Sequence, residues 1–434
     1  MRRVCSIITR RRLHAASPGM LDRAAPSLLA TRRGTRAAPF STESPGASRP
    51  PETLDEEMLR LASYAQTSVS LKATLDTGLG LLLPQGDDGE SEVSRRERTL
   101  IQIASFLRRE LPVRLARRVI ELQQLPEGLH SMRSVQRVRE WYEQSFVEIR
   151  RSRQPVDAET EAEFFELISN VYERHAPTLI TMARGVHELK QALHAKHGDN
   201  FEFGDLESIH SFLDKFYMSR IGIRILIGQY IELRREPQLE GYVGLINLDT
   251  SPAEIFQQAM EDAKYMCERA HGDAPDVVIQ GRTDLTFAYI PSHLYYCMFE
   301  LLKNSLRATC EHHGVSGSMP MVKVVIADGE NNEDVVIKIS DEGGGIRRSH
   351  MPRIWSYLFT TAEPAFGGAG HELFSSGGDH GTDSPLAGLG YGLPISRSYA
   401  RYFGGDLNLM SMEGYGTDAF LHLPRLGDRD EPLH

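Results

Sequence analysis

Gly388-Leu389-Gly390-Tyr391-Gly392-Leu393-Pro394 is the stretch on which the fold of this 434-residue chain turns. Its alternating glycines leave backbone N–H groups open, and Pro394 suits the first turn of a helix. A phosphate placed there gains from free donors and from the helix dipole. Two commoner phosphate folds are excluded. No Gly-Lys-Ser/Thr follows, so this is not a P-loop. It is not a dinucleotide fingerprint either, because no βαβ unit opens the domain and the third glycine comes too early. The polar, glycine-rich stretch Pro364–Pro385 just upstream reads as a lid over ATP.

Three further segments complete the pattern, and their order carries more than any one of them. In the helix predicted over Leu294–His312, an apolar stripe holds Leu294, Met298, Leu301 and Leu302. Glu300, Asn304 and Arg307, at i, i+4 and i+7, share the other face. An acid, an amide and a cation so aligned fit proton handling, Mg²⁺ coordination and phosphate contact. Alone, they are a solvated helix face. Next comes Ser340-Asp341-Glu342-Gly343-Gly344-Gly345, directly after an apolar strand. A carboxylate at a strand end can accept from an adenine amino group, and glycines let backbone approach the ring. Alone, it is a glycine turn. Last is Gly416-Thr417-Asp418, whose hydroxyl can bond a purine. All four in this order specify a nucleotide site.

Outward from the site, Val322, Val324 and Ile326 alternate, a turn covers Asp328–Asp334, and Val335, Ile337 and Ile339 alternate again. Asp406–Met412 and Thr417–Leu423 bracket a second turn. Residues 242–426 therefore read as an α+β domain. Before it, residues 54–233 show three- and four-residue apolar steps, as in Phe164, Leu167, Ile168 and Val171, broken near Pro126–Gly128 and Gly198–Gly204. That is an antiparallel helical bundle. Gln85–Glu92 reads as an acidic loop, and residues 427–434 as a short tail.

Charge divides the chain differently. Residues 1–42 hold nine arginines, no lysine and one acid, Asp22. That composition suits a mitochondrial transit peptide, with 43–53 as a Ser/Pro-rich linker. The whole chain carries −10, which leaves about −18 on the remainder and excludes a nucleic-acid binder. No apolar run is long enough to cross a bilayer. The four cysteines, Cys5, Cys267, Cys297 and Cys310, lack ligand spacing and read as reduced thiols.

The four segments resemble the nucleotide boxes shared by gyrase, heat-shock chaperones, histidine kinases and mismatch-repair ATPases. FELLKNSLRAT (299–309), ISDEGGGI (339–346), LAGLGYGLPISRSYARYFGGDL (386–407) and SMEGYGTDA (411–419) more closely resemble mitochondrial pyruvate dehydrogenase kinases. The helical half agrees in FLRRELPVRLARR (106–118), Trp141-Tyr142, RHAPTLITMARGV (174–186) and FLDKFYMSRIGIRILIGQ (212–229). The ending RLGDRDEPLH looks most like the plant and algal branch.

That resemblance implies an ATP- and Mg²⁺-dependent serine kinase in the mitochondrial matrix, acting on the decarboxylase of the pyruvate dehydrogenase complex. It implies a homodimer and a partner lipoyl domain. Glu300 would be the base and Asn304 the Mg²⁺ ligand, within an ATP-binding run Glu300, Leu301, Leu302, Lys303, Asn304, Ser305, Leu306 and Arg307. Asp341, Gly343, Gly345 and Thr417 would hold adenine. Thr360 and Thr361 would line the site, and Gly388, Leu389, Gly390, Tyr391, Gly392 and Leu393 would wrap the phosphates. In the bundle, Leu115, Tyr142, Ser145, His175, Arg220, Ile223, Arg224 and Ile227 match a pocket for pyruvate or dichloroacetate. Two arginines one turn apart can clamp a small carboxylate; without the resemblance they read equally as salt-bridge partners.

Three departures stand against the pattern. Tyr296 replaces a histidine found one turn before the glutamate in many animal members. Tyr172 replaces a cation three residues before His175. The long Asp-Trp tail that grips a lipoyl domain in animal members has no counterpart, which points to weaker or different lipoyl binding. Other readings remain. His175 as phosphoacceptor is opposed by Ala176-Pro177 after it. A branched-chain 2-oxoacid dehydrogenase kinase is favoured by Phe359–Pro364, and an ATP-gated switch without phosphotransfer would need a middle domain the pattern lacks.

Overall fold

Thr53 opens helix α1 (Leu54–Ala62) with a reciprocal cap. Its hydroxyl accepts from the Glu56 N–H (3.3 Å), and the Glu56 carboxylate accepts from the Thr53 N–H (2.9 Å). The computed structural model describes residues 53–82, 92–197, 206–314, 317–329, 333–360, 390–425 and 427–433. Residues 1–42, most of the linker, the acidic insert up to residue 91, the lid stretch, Thr361, Gly388 and Leu389 lie outside them.

Six more helices follow: α2 (Leu71–Gly78), α3 (Glu92–Gln123), α4 (Arg133–Arg151), α5 (Ala158–Arg174), α6 (Thr178–His197) and α7 (Glu207–Arg234). Asp157 caps α5 by accepting from the Thr160 N–H at 2.9 Å. Leu107, Leu111, Val138, Phe146, Phe164, Ile168 and Phe216 interlock in one apolar core. The spacing of three and four is that core's footprint.

Beyond Arg234 the chain forms β1 (Tyr242–Val243), β2 (Ile246–Thr250), α8 (Pro252–His271), β3 (Val277–Gly281), β4 (Phe287–Tyr289) and α9 (Pro291–His313). After these come β5 (Val322–Asp328), β6 (Asp334–Asp341), α10 (Gly392–Tyr402), β7 (Asp406–Met412) and β8 (Gly416–Pro424). The main sheet runs β3-β5-β6-β8-β7, parallel only between β3 and β5. Val322, Val324, Ile326, Val335, Ile337 and Ile339 are all buried, as strict alternation demands. Helix α9 packs on α8, α10 and β6, and α10 packs on β7 and on α7 of the bundle. A helical bundle followed by an α+β domain of histidine-kinase type is the architecture.

The short segment after β8 is tied to the bundle: Asp430 bridges to Ser70, the Lys72 N–H donates to the Gly427 carbonyl (2.8 Å), and the Glu431 N–H donates to Val69 (3.2 Å).

Candidate functional site: a nucleotide site and a buried bundle cluster

Strand register brings the distant motifs together. Asp341, last in β6, pairs with Thr417 near the start of β8. The buried Asp341 carboxylate accepts from the Ser305 hydroxyl (2.9 Å), the Gly343 N–H (3.0 Å) and the Thr417 N–H (3.3 Å). Burial pushes its carboxyl above the usual range, against the pull of those three donors. Ser411, not singled out from sequence, sits 3.0 Å from the Thr417 hydroxyl and accepts from the Ile346 N–H (2.7 Å). It ties the glycine turn to the last hairpin. Gly345, at φ +68°, turns within 2.1 Å, for an added Cβ, of the Met412 carbonyl.

Helix α9 supplies the opposite wall. Glu300 is only 4% exposed, so this face is not solvated. Its Oε1 accepts from Lys303 Nζ at 2.6 Å, and this pairing offsets the cost of burying the charge. Lys303 is thus engaged by the carboxylate. Arg307 pairs with Glu311 at 3.8 Å. Asn304 is half-buried, and among the described residues no protein group bonds its side chain. Leu301, Leu302 and Leu306 belong to the apolar core, where they hold the helix. Tyr296 and His293 both pack on Tyr399, with ring centroids 5.2 and 4.4 Å away.

The phosphate-loop end of α10 closes against that wall. A Cβ on Gly392 would lie 2.1 Å from Glu300 Oε2, and one on Gly390 2.3 Å from the Phe359 carbonyl. Tyr391 is fully buried, packed with Tyr217 of α7 and with Tyr357, whose hydroxyl donates to Asp214 (2.7 Å). Leu393 is half-buried against the sheet core, and Thr360 is exposed. The donors, the glycine approaches and the open amide of Asn304 fit a nucleotide with its metal ion.

Residues 87–247 match a family profile described as mitochondrial branched-chain alpha-ketoacid dehydrogenase kinase. Residues 289–427 match one described as histidine kinase-, DNA gyrase B-, and HSP90-like ATPase. A mitochondrial pyruvate dehydrogenase (acetyl-transferring) kinase of Arabidopsis thaliana is 44% identical over 384 residues, covering 88% of this chain and 97% of its own. The Schizosaccharomyces pombe kinase of the same name is 38% identical, with 88% and 99% covered. Human isozyme 4 is 35% identical, with 90% and 89% covered. The chain belongs to the mitochondrial pyruvate dehydrogenase kinase family.

In this family member the bundle residues singled out above converge. The Ser145 hydroxyl lies 2.9 Å from His175 Nε2, and the Tyr142 ring meets the imidazole edge-on at 4.5 Å. Arg220 donates to the Ala176 carbonyl (3.3 Å), while Leu115, Ile223 and Ile227 are buried in the bundle core. Arg224 lies 4.1 Å over the Tyr172 ring, so the tyrosine replaces a cation with a face that holds one. Sequence reasoning missed Arg174, which donates to Ser145 (2.9 Å) and grips both oxygens of Glu148.

Burial, reinforced by Arg220, Arg174 and Arg224, pushes the His175 imidazole down to about 3. A ring this enclosed, with Nε2 engaged by Ser145, is a poor phosphoacceptor. The same shift makes stability depend on pH. An unfolded histidine takes up its proton near pH 6.5, whereas the folded one does so only near 3. Between those values the unfolded chain binds more protons, so stability falls as pH falls. From pH 7.5 to 5.5 this group is expected to cost about 1.4 kcal/mol. Urea midpoints of wild type and His175→Asn check it; an equal acid loss in both removes His175 as the cause.

Proposed function

We propose that this chain is a protein-serine kinase of the mitochondrial matrix that phosphorylates, and so inactivates, the α subunit of the pyruvate dehydrogenase decarboxylase. The observation that carries this is one buried carboxylate, Glu300, ion-paired to Lys303 and set against the phosphate-loop glycine Gly392. Residues 242–426 are the kinase domain and 54–233 the regulatory and partner-binding bundle. Asp341 and Thr417 read adenine, and the backbone from Gly388 to Leu393 holds the phosphates. Asn304 holds Mg²⁺, which when bound neutralises phosphate charge. Glu300, held at Oε1 by Lys303, takes the proton of the substrate hydroxyl. Arg220 and Arg224 hold a small carboxylate beside neutral His175. A homodimer and a lipoyl-domain partner belong to the same reading. Among the described residues no helix is long and apolar enough to cross a membrane.

The profile over residues 87–247 carries the name of the second reading, a kinase for the branched-chain enzyme. Labelled ATP, Mg²⁺ and residues from about 43 onward, offered both decarboxylases, separate the two. Serine label on the pyruvate component alone is expected. Label on the branched-chain component promotes the second reading, and free phosphate without label points to an ATP-gated switch. Asp341→Asn exchanges the carboxylate that three donors share, and a lost hydrogen bond to a charged group is worth about 1.5–3 kcal/mol. Nucleotide affinity should drop about 10–100-fold by titration; an unchanged Kd removes Asp341 from the adenine site.

A further inference from the structure

Helix α10 has two ends, and only one belongs to the nucleotide site. Gly392 begins it against Glu300; Tyr402 ends it in a buried polar cluster. There Tyr402 donates its hydroxyl to Glu431, which also accepts from both terminal nitrogens of Arg114, the Nη1 contact being 3.1 Å. Arg114 is 1% exposed and Glu431 5%. The same arginine donates to Glu110 (2.9 Å) and to the Thr67 carbonyl (2.7 Å). On the fourth side lies Gly222 of α7, where a Cβ would stand 2.7 Å from Glu431 and 2.9 Å from the Tyr402 hydroxyl. Glu431 itself is delivered by the strand-like contact with residues 69–72, and Arg429 ties the same segment to the Gly404 carbonyl (2.7 Å).

Buried charge clusters are weak sources of stability, because desolvation consumes most of the attraction. What they supply is one geometry. This one joins α3, α7, α10 and the segment after β8 at a single carboxylate. We infer that Glu431 is a positioning residue for phosphoryl transfer: it pins the far end of the helix whose near end sets Gly392 against Glu300. The inference rests on the kinase reading for its consequence, though not for its geometry. Ten helical steps separate the two ends, about 15 Å. A hydrogen-bonded helix carries a tilt at Tyr402 to Gly392 with little loss, and a misplacement of about 1 Å at reacting groups costs on the order of 10²-fold. Arg397, midway along α10, lies 4.2 Å over the Trp355 ring, which makes that indole a reporter of the helix position.

The test uses the full chain in a Trp141→Phe background, leaving Trp355 as the one emitter. Glu431→Ala and Tyr402→Phe are compared with their parent by kcat, KM for ATP, Trp355 emission and thermal midpoint. Both should lower kcat, Glu431→Ala about tenfold or more and Tyr402→Phe less, with KM for ATP within about threefold and Trp355 emission shifted well below the melting range. A merely structural role moves the midpoint and leaves kcat and emission of the folded enzyme alone; that outcome overturns the inference. If Glu431→Ala does not fold, Tyr402→Phe decides by the same readings, since it deletes a single hydroxyl. If the parent transfers no phosphate to protein, the kinase reading falls, while an unshifted Trp355 emission still overturns the positioning role.

Discussion

Glu300→Gln should bind ATP as the parent does and lose about 10²–10⁴-fold in phosphoryl transfer, the usual range of general-base assistance. The exchange keeps shape and both heavy-atom positions, so the approach of Gly392 and the packing of α9 survive. What disappears is the oxygen proposed to accept the proton, together with the charge that Lys303 meets at 2.6 Å. That separation makes the variant diagnostic. A carboxylate needed only to hold Lys303 or the loop would change nucleotide affinity along with turnover. A carboxylate that takes the serine proton changes turnover alone, by about 3–5 kcal/mol of barrier. Single-turnover transfer of labelled phosphate, paired with an equilibrium ATP titration, reads the two quantities separately. Normal transfer in the variant sinks the base assignment.

Much of this site was legible because its parts are local patterns in a fixed order. Alternation over Val322–Ile326 and Val335–Ile339 predicts the hairpin, and with the sheet in place Asp341 must meet Thr417. Periodicity likewise puts Glu300, Asn304 and Arg307 on one helical face. Most of the unread contacts depend on partners far apart in sequence. Arg114 and Glu431, separated by 317 positions, look in composition like surface charge, yet they are buried against each other. From sequence Tyr172 reads as a lost cation, because nothing local shows that Arg224 lies across its ring. Cys267 and Cys310 have no motif spacing, yet their sulfurs are 3.4 Å apart between α8 and α9. Lys303 lies in the ATP-binding run that the resemblance implies, and the fold pairs it with Glu300 one turn earlier. Tertiary ion pairs follow from which surfaces dock, and helical or strand periodicity carries no record of that.

Gly392→Ala is expected to be nearly as damaging as removing the carboxylate, though it deletes no functional group. The added methyl would stand 2.1 Å from Glu300 Oε2 and 3.0 Å from its carboxyl carbon. Real Cβ atoms essentially never approach so closely, so something must move. The backbone has little freedom to give, since α10 is held by Tyr391 within the buried tyrosine cluster and by Tyr402 at Glu431. The carboxylate is the softer partner, and swinging it breaks the Lys303 contact and displaces the proposed base. A displacement of about 1 Å at a proton-transfer atom costs on the order of 10²-fold. Helix propensity argues the other way, because alanine is the better helix former by about 1 kcal/mol. Losing the buried Glu300–Lys303 pair outweighs that gain, so Gly392→Ala should melt below the parent while kcat falls about 100-fold. Paired with Glu300→Gln, the effects should be far from additive, because a methyl cannot displace a base that is already gone. Additive losses in the double variant would mean that Gly392 serves the phosphates alone and that Glu300 does not depend on it.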